Sequence, residues 1–394
     1  MIYKKLLIII TGMLSLLLVS CKENPTSVGL DLLKNDLVGV KSLDSYSDSL
    51  QQKSSYFQKV MSLGGGTTLL LGKDINVEAS SLIKFYFSGL ADTTVSDIKS
   101  NVTQVVSATV YMYPIYNFGD TLAAFDFSVH QINSDWTSAG FDADSIASFS
   151  YNSTDISSNR VVTDTVTSFD IPGSIVSGWI KAYSDSNFIG DEGIYLTPSS
   201  VVSQRIIGYQ ALSLNSSTAT ILKIVLYKPG SYSDTLSFYP TSDLAVVKGF
   251  LPSVSPTNIV VQGGLTARSK LWFDASKIPN NAVINQAILT LTIDTTQSVF
   301  GPNSGNSITV FNLSDSASSL IDSSKSISLT KNGNIISGDI SSLVQKWIDS
   351  KNNQGLILQD TYQSDEVELF VFRGSKDSNH ALRPRLKIIY TLRN

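Results

Sequence analysis

Gln286-Ala287-Ile288-Leu289-Thr290-Leu291 returns, in residue type and spacing, a stretch from the first half of the chain, Ser107-Ala108-Thr109-Val110-Tyr111-Met112. The likeness extends outward in both directions. Upstream, Ser81-Leu82-Ile83-Lys84-Phe85 is matched by Ser269-Lys270-Leu271-Trp272-Phe273. Downstream, Asp170-Ile171 with Trp179 is matched by Asp339-Ile340 with Trp347, and Gly193-Ile194-Tyr195-Leu196 by Gly355-Leu356-Ile357-Leu358. The closing strand Leu222-Lys223-Ile224-Val225 pairs with Leu386-Lys387-Ile388-Ile389. Self-similarity over about 160 residues is too long for a solenoid unit and fits two tandem domains. The pattern predicts a tether over 21–55, a first domain over 56–228, a linker over 229–235 with Pro229-Gly230, and a second domain over 236–394.

A position apolar in both copies is expected in a core, and one polar in either copy on a surface. Phe85 and Phe273 are predicted to point inward, as are Val110 and Met112 with Leu289 and Leu291. The two-residue period of a strand then turns Lys84, Tyr86, Tyr111, Tyr113, Trp272 and Asp274 outward. Trp136, after Val129-His130-Gln131-Ile132, is expected in a loop. Each copy carries one helical signal, headed by Asp170 or Asp339 as a cap, with Ile175, Val176 and Trp179 or Leu343, Val344 and Trp347 on one stripe. Such a stripe docks a helix on a core, so Trp179 and Trp347 are expected inside. Many short strands with spaced turns predict an all-β chain of two tandem β-sandwich or jelly-roll domains, each with one short helix.

The N-terminus has Lys4 and Lys5, an apolar run from Leu6 to Val19, and Leu18-Val19-Ser20-Cys21. Residues 1–20 thus read as a signal peptide ahead of a lipid-modified Cys21, the one cysteine of the chain. The alternative, a membrane-spanning helix, needs about 20 apolar residues, more than this run supplies. With a single cysteine there is no intramolecular disulfide and no thiolate metal cluster. Removing Lys4 and Lys5 with the signal leaves 27 basic against 33 acidic residues, which offers no basic stripe for nucleic acid. Only five of the acids are glutamate and the other 28 are aspartate, a bias toward turns and caps over helices.

The two copies resemble the DNRLRE-type domain, a module of about this length classed with carbohydrate-binding modules. The features that carry the resemblance are the apolar-x-Phe strand end, the Ala-x-Leu-x-Leu strand, the short Asp-headed helix with Trp, and a closing segment. Arg383-Pro384-Arg385-Leu386-Lys387-Ile388-Ile389-Tyr390 matches that close, whereas the first copy has Thr220-Ile221-Leu222-Lys223 without Arg-Pro. The resemblance implies a secreted or surface β-sandwich able to bind polysaccharide, and it brings no catalytic residues. Lys22-Glu23 after the cysteine resembles the surface-export signal of Bacteroidota lipoproteins, which implies a lipid-anchored outer-membrane protein. Asp-Ser/Thr-apolar segments such as Asp120-Thr121-Leu122 and Asp234-Thr235-Leu236 resemble the O-glycosylation signal of the same bacteria.

No motif for an enzyme stands out. The two histidines, His130 and His380, lie in different copies, and there is no Gly-x-Ser-x-Gly elbow, P-loop, dinucleotide fingerprint or His/Cys metal spacing. No cofactor is expected, with calcium left open because aspartates and loop carbonyls suffice for it; Asp142-Ala143-Asp144 and the loop from Asp185 to Asp191 are the places for it. Two readings of function stand. The first is a non-catalytic surface lipoprotein that binds polysaccharide through Tyr86, Tyr111, Tyr113, Trp136 and Trp272, since sugar C–H faces pack on exposed rings. The second is a scaffold that engages other surface proteins and binds no sugar, and an enzyme ranks behind both; for each aromatic ring the alternative to sugar contact is burial between the modules or against the tether.

Overall fold

β-branched and aromatic residues in alternation build strands along most of the chain. The computed structural model describes residues 39–74, 76–184, 192–199, 204–212, 218–302 and 305–393. The signal segment 1–20, Cys21 and the tether up to residue 38 lie outside the described residues. In chain order come β1 (Lys41–Asp44), β2 (Gln52–Gln58), β3 (Thr68–Asp74), β4 (Val77–Phe85), α1 (Asp92–Lys99), β5 (Gln104–Met112), β6 (Pro114–Gly119) and β7 (Phe127–Gln131). Then follow β8 (Ser158–Val162), β9 (Thr167–Asp170), α2 (Gly173–Tyr183), β10 (Ile194–Pro198), β11 (Arg205–Gln210), β12 (Ile221–Lys228), β13 (Tyr232–Phe238) and β14 (Pro240–Gly249). The second half holds β15 (Ile259–Gln262), β16 (Ala267–Phe273), β17 (Ala282–Thr292), β18 (Ser307–Asp315), β19 (Leu320–Asn332), β20 (Ile335–Asp339), α3 (Ser341–Ser350), β21 (Leu356–Asp360), β22 (Leu369–Phe372) and β23 (Arg385–Leu392).

The fold is all-β. In the first module a five-stranded sheet, β13-β12-β5-β9-β8, faces a sheet ordered β6-β11-β3-β4-β10-β7, to whose β4 strand β14 also pairs. Between them lie Phe85, Val110, Met112, Phe127, Phe169, Leu222 and, from α2, Val176 and Trp179. The second module repeats the arrangement in one continuous sheet, because the 13-residue β19 pairs with β18 along one part and with β20 along another. Its core gathers Phe273, Leu289, Leu291, Phe370, Phe372 and, from α3, Val344 and Trp347. The inward and outward assignments of the strand residues therefore stand, and both helix tryptophans are buried. The first module has a further helix, α1, which buries Ile98. Asp339 accepts from the Ser341 N–H in the first turn of α3, while Asp170 instead binds the hydroxyl of Thr109 and the amide of Asn159 across the sheet.

The domain borders differ from the expected ones at two places, and for one reason. The expected linker 229–235 is the turn and start of a hairpin: Pro229 and Gly230, the latter at φ +70°, close a turn in which the Ser231 N–H donates to the Lys228 carbonyl. β13 then pairs with β12, and β14 with β4, so Tyr232–Gly249 belongs to the first module. β1 lies in the expected tether and β2 spans its border with the expected first domain, yet both pair with the second module, at β23 and β16. A two-strand segment thus completes each module: the first takes β13 and β14, which follow it, and the second takes β1 and β2, which precede the first. β1 is fastened by Asp44, whose carboxylate meets the Arg385 guanidinium at 2.5 Å and 3.0 Å.

The modules meet along the outer face of the first module's larger sheet. Leu70, Tyr116, Phe118, Ile206 and Val247 pack there against Leu265 and Val367 of the second module. The run Leu69-Leu70-Leu71 is buried throughout because β3 is covered on both faces. The Tyr116 hydroxyl accepts the Val367 N–H at 3.1 Å across this seam.

Candidate functional site

Lys53 of β2 lies directly opposite Trp272 of β16, and Ser55 opposite Lys270. Alternation along both strands sends all four side chains to the outer face, while Leu271 and Phe273 go to the core. The Trp272 ring is half-buried and its Nε1–H donates to the Asn353 carbonyl at 3.2 Å, which fixes the ring's edge and leaves a face to the surroundings. The Lys53 ammonium sits 5.4 Å from the ring centroid, within cation–π reach. Two cavities share this ring as a wall. The larger, about 460 Å³, is bordered by Lys53, Ser55, Lys270, Trp272, Asn353 and Gln354. The smaller, about 280 Å³, lies toward Asp274, Trp347 and Lys351. The larger falls within the size range of small-molecule sites.

The remaining candidate aromatics are dispersed. Tyr86 is exposed and packs edge-on against Tyr183, with ring centroids 5.3 Å apart. Tyr111 and Tyr113 are half-buried near the end of β5, and the Lys223 ammonium lies 4.9 Å from the Tyr111 ring. Trp136 requires a correction: it is buried, with its Nε1–H bound to the Glu192 carbonyl at 2.8 Å. The cause is the long connection after β7, whose Phe141, Ile146 and Phe149 fold back over Trp136, Tyr195, Leu82 and Leu244. Among the described residues no ring contact joins Tyr86, Tyr111, Tyr113 and Trp272 into one platform.

His130 is nearly buried, its Nδ1 3.0 Å from the Asn152 carbonyl and its ring against Tyr151 and Tyr195; the structure places it in a packed wall. His380 lies beside the Tyr46 ring, centroids 5.2 Å apart. Asp142 turns its Oδ1 onto the N–H groups of Asp144 and Ser145, closing its own loop. The loop from Asp185 to Asp191 lies outside the described residues. Among the described residues no group of three or more His, Cys, Asp or Glu side chains is placed to hold a metal ion.

Sequence reasoning missed an acidic group at the seam. Asp360 and Glu368 are buried, and Asp360 Oδ2 and both Glu368 carboxylate oxygens have no hydrogen-bond partner. Burial, with Glu366 and Asp365 nearby, pushes Asp360 up to about 7. Glu368 is also raised, by burial first and then by the charge of Glu366. Glu366 and Glu368 flank apolar Val367 in the connection just before β22, where the sequence carries no periodic signal that would mark them as buried.

No known protein-family model matches the chain, and no curated protein is detectably similar to it.

Proposed function

We propose that the chain is a non-catalytic, lipid-anchored protein of the outer membrane that binds polysaccharide at the Trp272 cleft. The observation that carries the reading is a tryptophan held at its edge by the Asn353 carbonyl while its ring borders a cavity of about 460 Å³ lined with amides and hydroxyls. Sugars need that pairing of an apolar ring with hydrogen-bonding groups around it. The anchoring part of the reading is supported by the Lys4-Lys5, apolar and Leu18-Val19-Ser20-Cys21 sequence, and no described helix is long and apolar enough to cross a membrane. The DNRLRE-type kinship belongs to the same proposal, supported by the core pattern common to both modules.

The test is affinity electrophoresis of the protein on a polysaccharide panel, with and without calcium. Retardation by at least one glycan class is expected, reduced about tenfold or more in apparent affinity by Trp272→Ala, as for a central interface residue. Thermal melts check that the fold survives. If no glycan retards the chain, the scaffold reading, with a protein partner at the same surface, replaces this one.

A further inference from the structure

The two modules treat the same surface in opposite ways. In the first, Leu82 lies between Leu244 of β14 and Tyr195 of β10. In the second, Lys270 lies between Ser55 of β2 and Ile357 of β21, so Lys270 occupies the place of Leu82, and Trp272 the place of Lys84. The first module's face is filled by its own chain: Trp136, Phe141, Ile146 and Phe149 cover Leu82 and Leu244, and Lys84 is neutralised by Glu192 at 3.0 Å. The second module has only the turn from Ser316 to Ser319 in place of that covering connection, and its face stays open as the Trp272 cleft.

The open face also differs in charge. Lys53 and Lys270 border the larger cavity, no acidic side chain lines it, and neither lysine has a carboxylate within ion-pair distance among the described residues. Lys270 donates to the Ser316 carbonyl at 2.6 Å, which positions its ammonium without cancelling its charge. Asp315, the acid close enough to feel Lys270, is turned onto the N–H groups of Ala317 and Ser318. A chain with net charge −4 thus brings two unpaired ammonium groups to the rim of one aromatic cleft.

We infer that the cleft selects anionic polysaccharide, a chain whose sugar packs on Trp272 while its acid group meets Lys53 and Lys270. This rests on the polysaccharide reading of the same cleft and narrows its ligand class. One of the two cations comes from β2, so the site is whole only when β2 is docked on β16 of the second module.

Calorimetric titration of the full chain in detergent tests this with oligogalacturonate, its methyl ester and sulfated and unmodified dextran oligosaccharides. Oligogalacturonate is expected to bind at least about tenfold more tightly than its methyl ester, with affinity falling as salt rises. Lys53→Gln and Lys270→Gln each weaken it about two- to fivefold, the range of an exposed charge pair. Lys376→Gln, a lysine outside the cleft, leaves it unchanged. Tighter binding of sulfated than of unmodified dextran also supports the inference, with sulfate as the acid group. If the ester and the acid bind equally, the anionic inference falls while glycan binding stands. If none of these saccharides binds but a neutral glycan of the panel does, the anionic inference falls alone; if nothing binds anywhere, the underlying reading falls with it.

Discussion

Asp360 shows how a single side chain can hold a fold's pH dependence. Its Oδ1 accepts the Tyr362 N–H at 2.7 Å, while Oδ2 is buried without a partner. Its pKa of about 7, against an ordinary 3.8, means that between those values the folded chain keeps a proton that the unfolded chain has released. Stability contributed by this group is therefore complete below about pH 4 and declines as pH rises toward 7. Glu368, raised for the same reason of burial, adds to the decline in the same direction. Asp360→Asn keeps the acceptor for Tyr362 and removes the charge. It is expected to stabilise the protein at pH 8 by roughly 2 kcal/mol or more, and to change it little at pH 4, from about 1.4 kcal/mol per pKa unit. Denaturant titrations of both proteins at the two pH values check this, and equal effects at both would refute it. None of this was legible in the sequence, where Asp360 is one of 28 aspartates, because desolvation is a property of the packed seam. Trp136 was misread for a related reason: a tryptophan in a long polar connection looks solvent-facing until its Phe141 and Phe149 neighbours fold over it.

At the scale of elements, the repeated strands were legible because their apolar positions recur at a period of two in both copies. The inward Phe85 and Phe273 follow from that period, and the helix stripes ending in Trp179 and Trp347 follow from the helical period of 3.6. The strands β1 and β2 were not legible. Lys41-Ser42-Leu43-Asp44 and Gln52-Lys53-Ser54-Ser55-Tyr56-Phe57-Gln58 are polar and short, and they are ordered by backbone pairing with β23 and β16. Only Leu43 and Leu50 reach the second core from this region. Pro229-Gly230, read as a joint, closes a hairpin, since the same residues serve both purposes and only the partner strand distinguishes them. Deleting residues 39–58 is expected to lower the melting temperature of the second module by about 10 °C or more, and to promote aggregation through the bared edge of β23. The deletion also removes Lys53 and with it binding at the cleft. Light scattering and a thermal melt read the outcome, and an unchanged melt would show that β1 and β2 contribute little.

Across the whole molecule, the seam and the β1–β2 segment tie the two modules together. Tyr116, Leu265 and Val367 are buried between the modules, and β2 leads into the first module directly from the sheet of the second. Calorimetry is expected to show a single endotherm for the chain. Tyr116→Ala, which opens a cavity in the seam and removes the acceptor for the Val367 N–H, should cost about 3 kcal/mol or more and split that endotherm into two. A single sharp endotherm in the variant would mean that the seam is not what couples the modules. The docking of β1 on β23 also has a consequence in time. A chain emerges N-terminus first, so among the described strands β1 and β2 are the earliest to appear and β23, which receives β1, is the latest. The first module, whose strands run without interruption from β3 to β14, has all its partners at hand midway through synthesis or export. The second cannot close its β1–β23 edge until β23 has been made, so that edge stands open for an interval in which a holding chaperone could act.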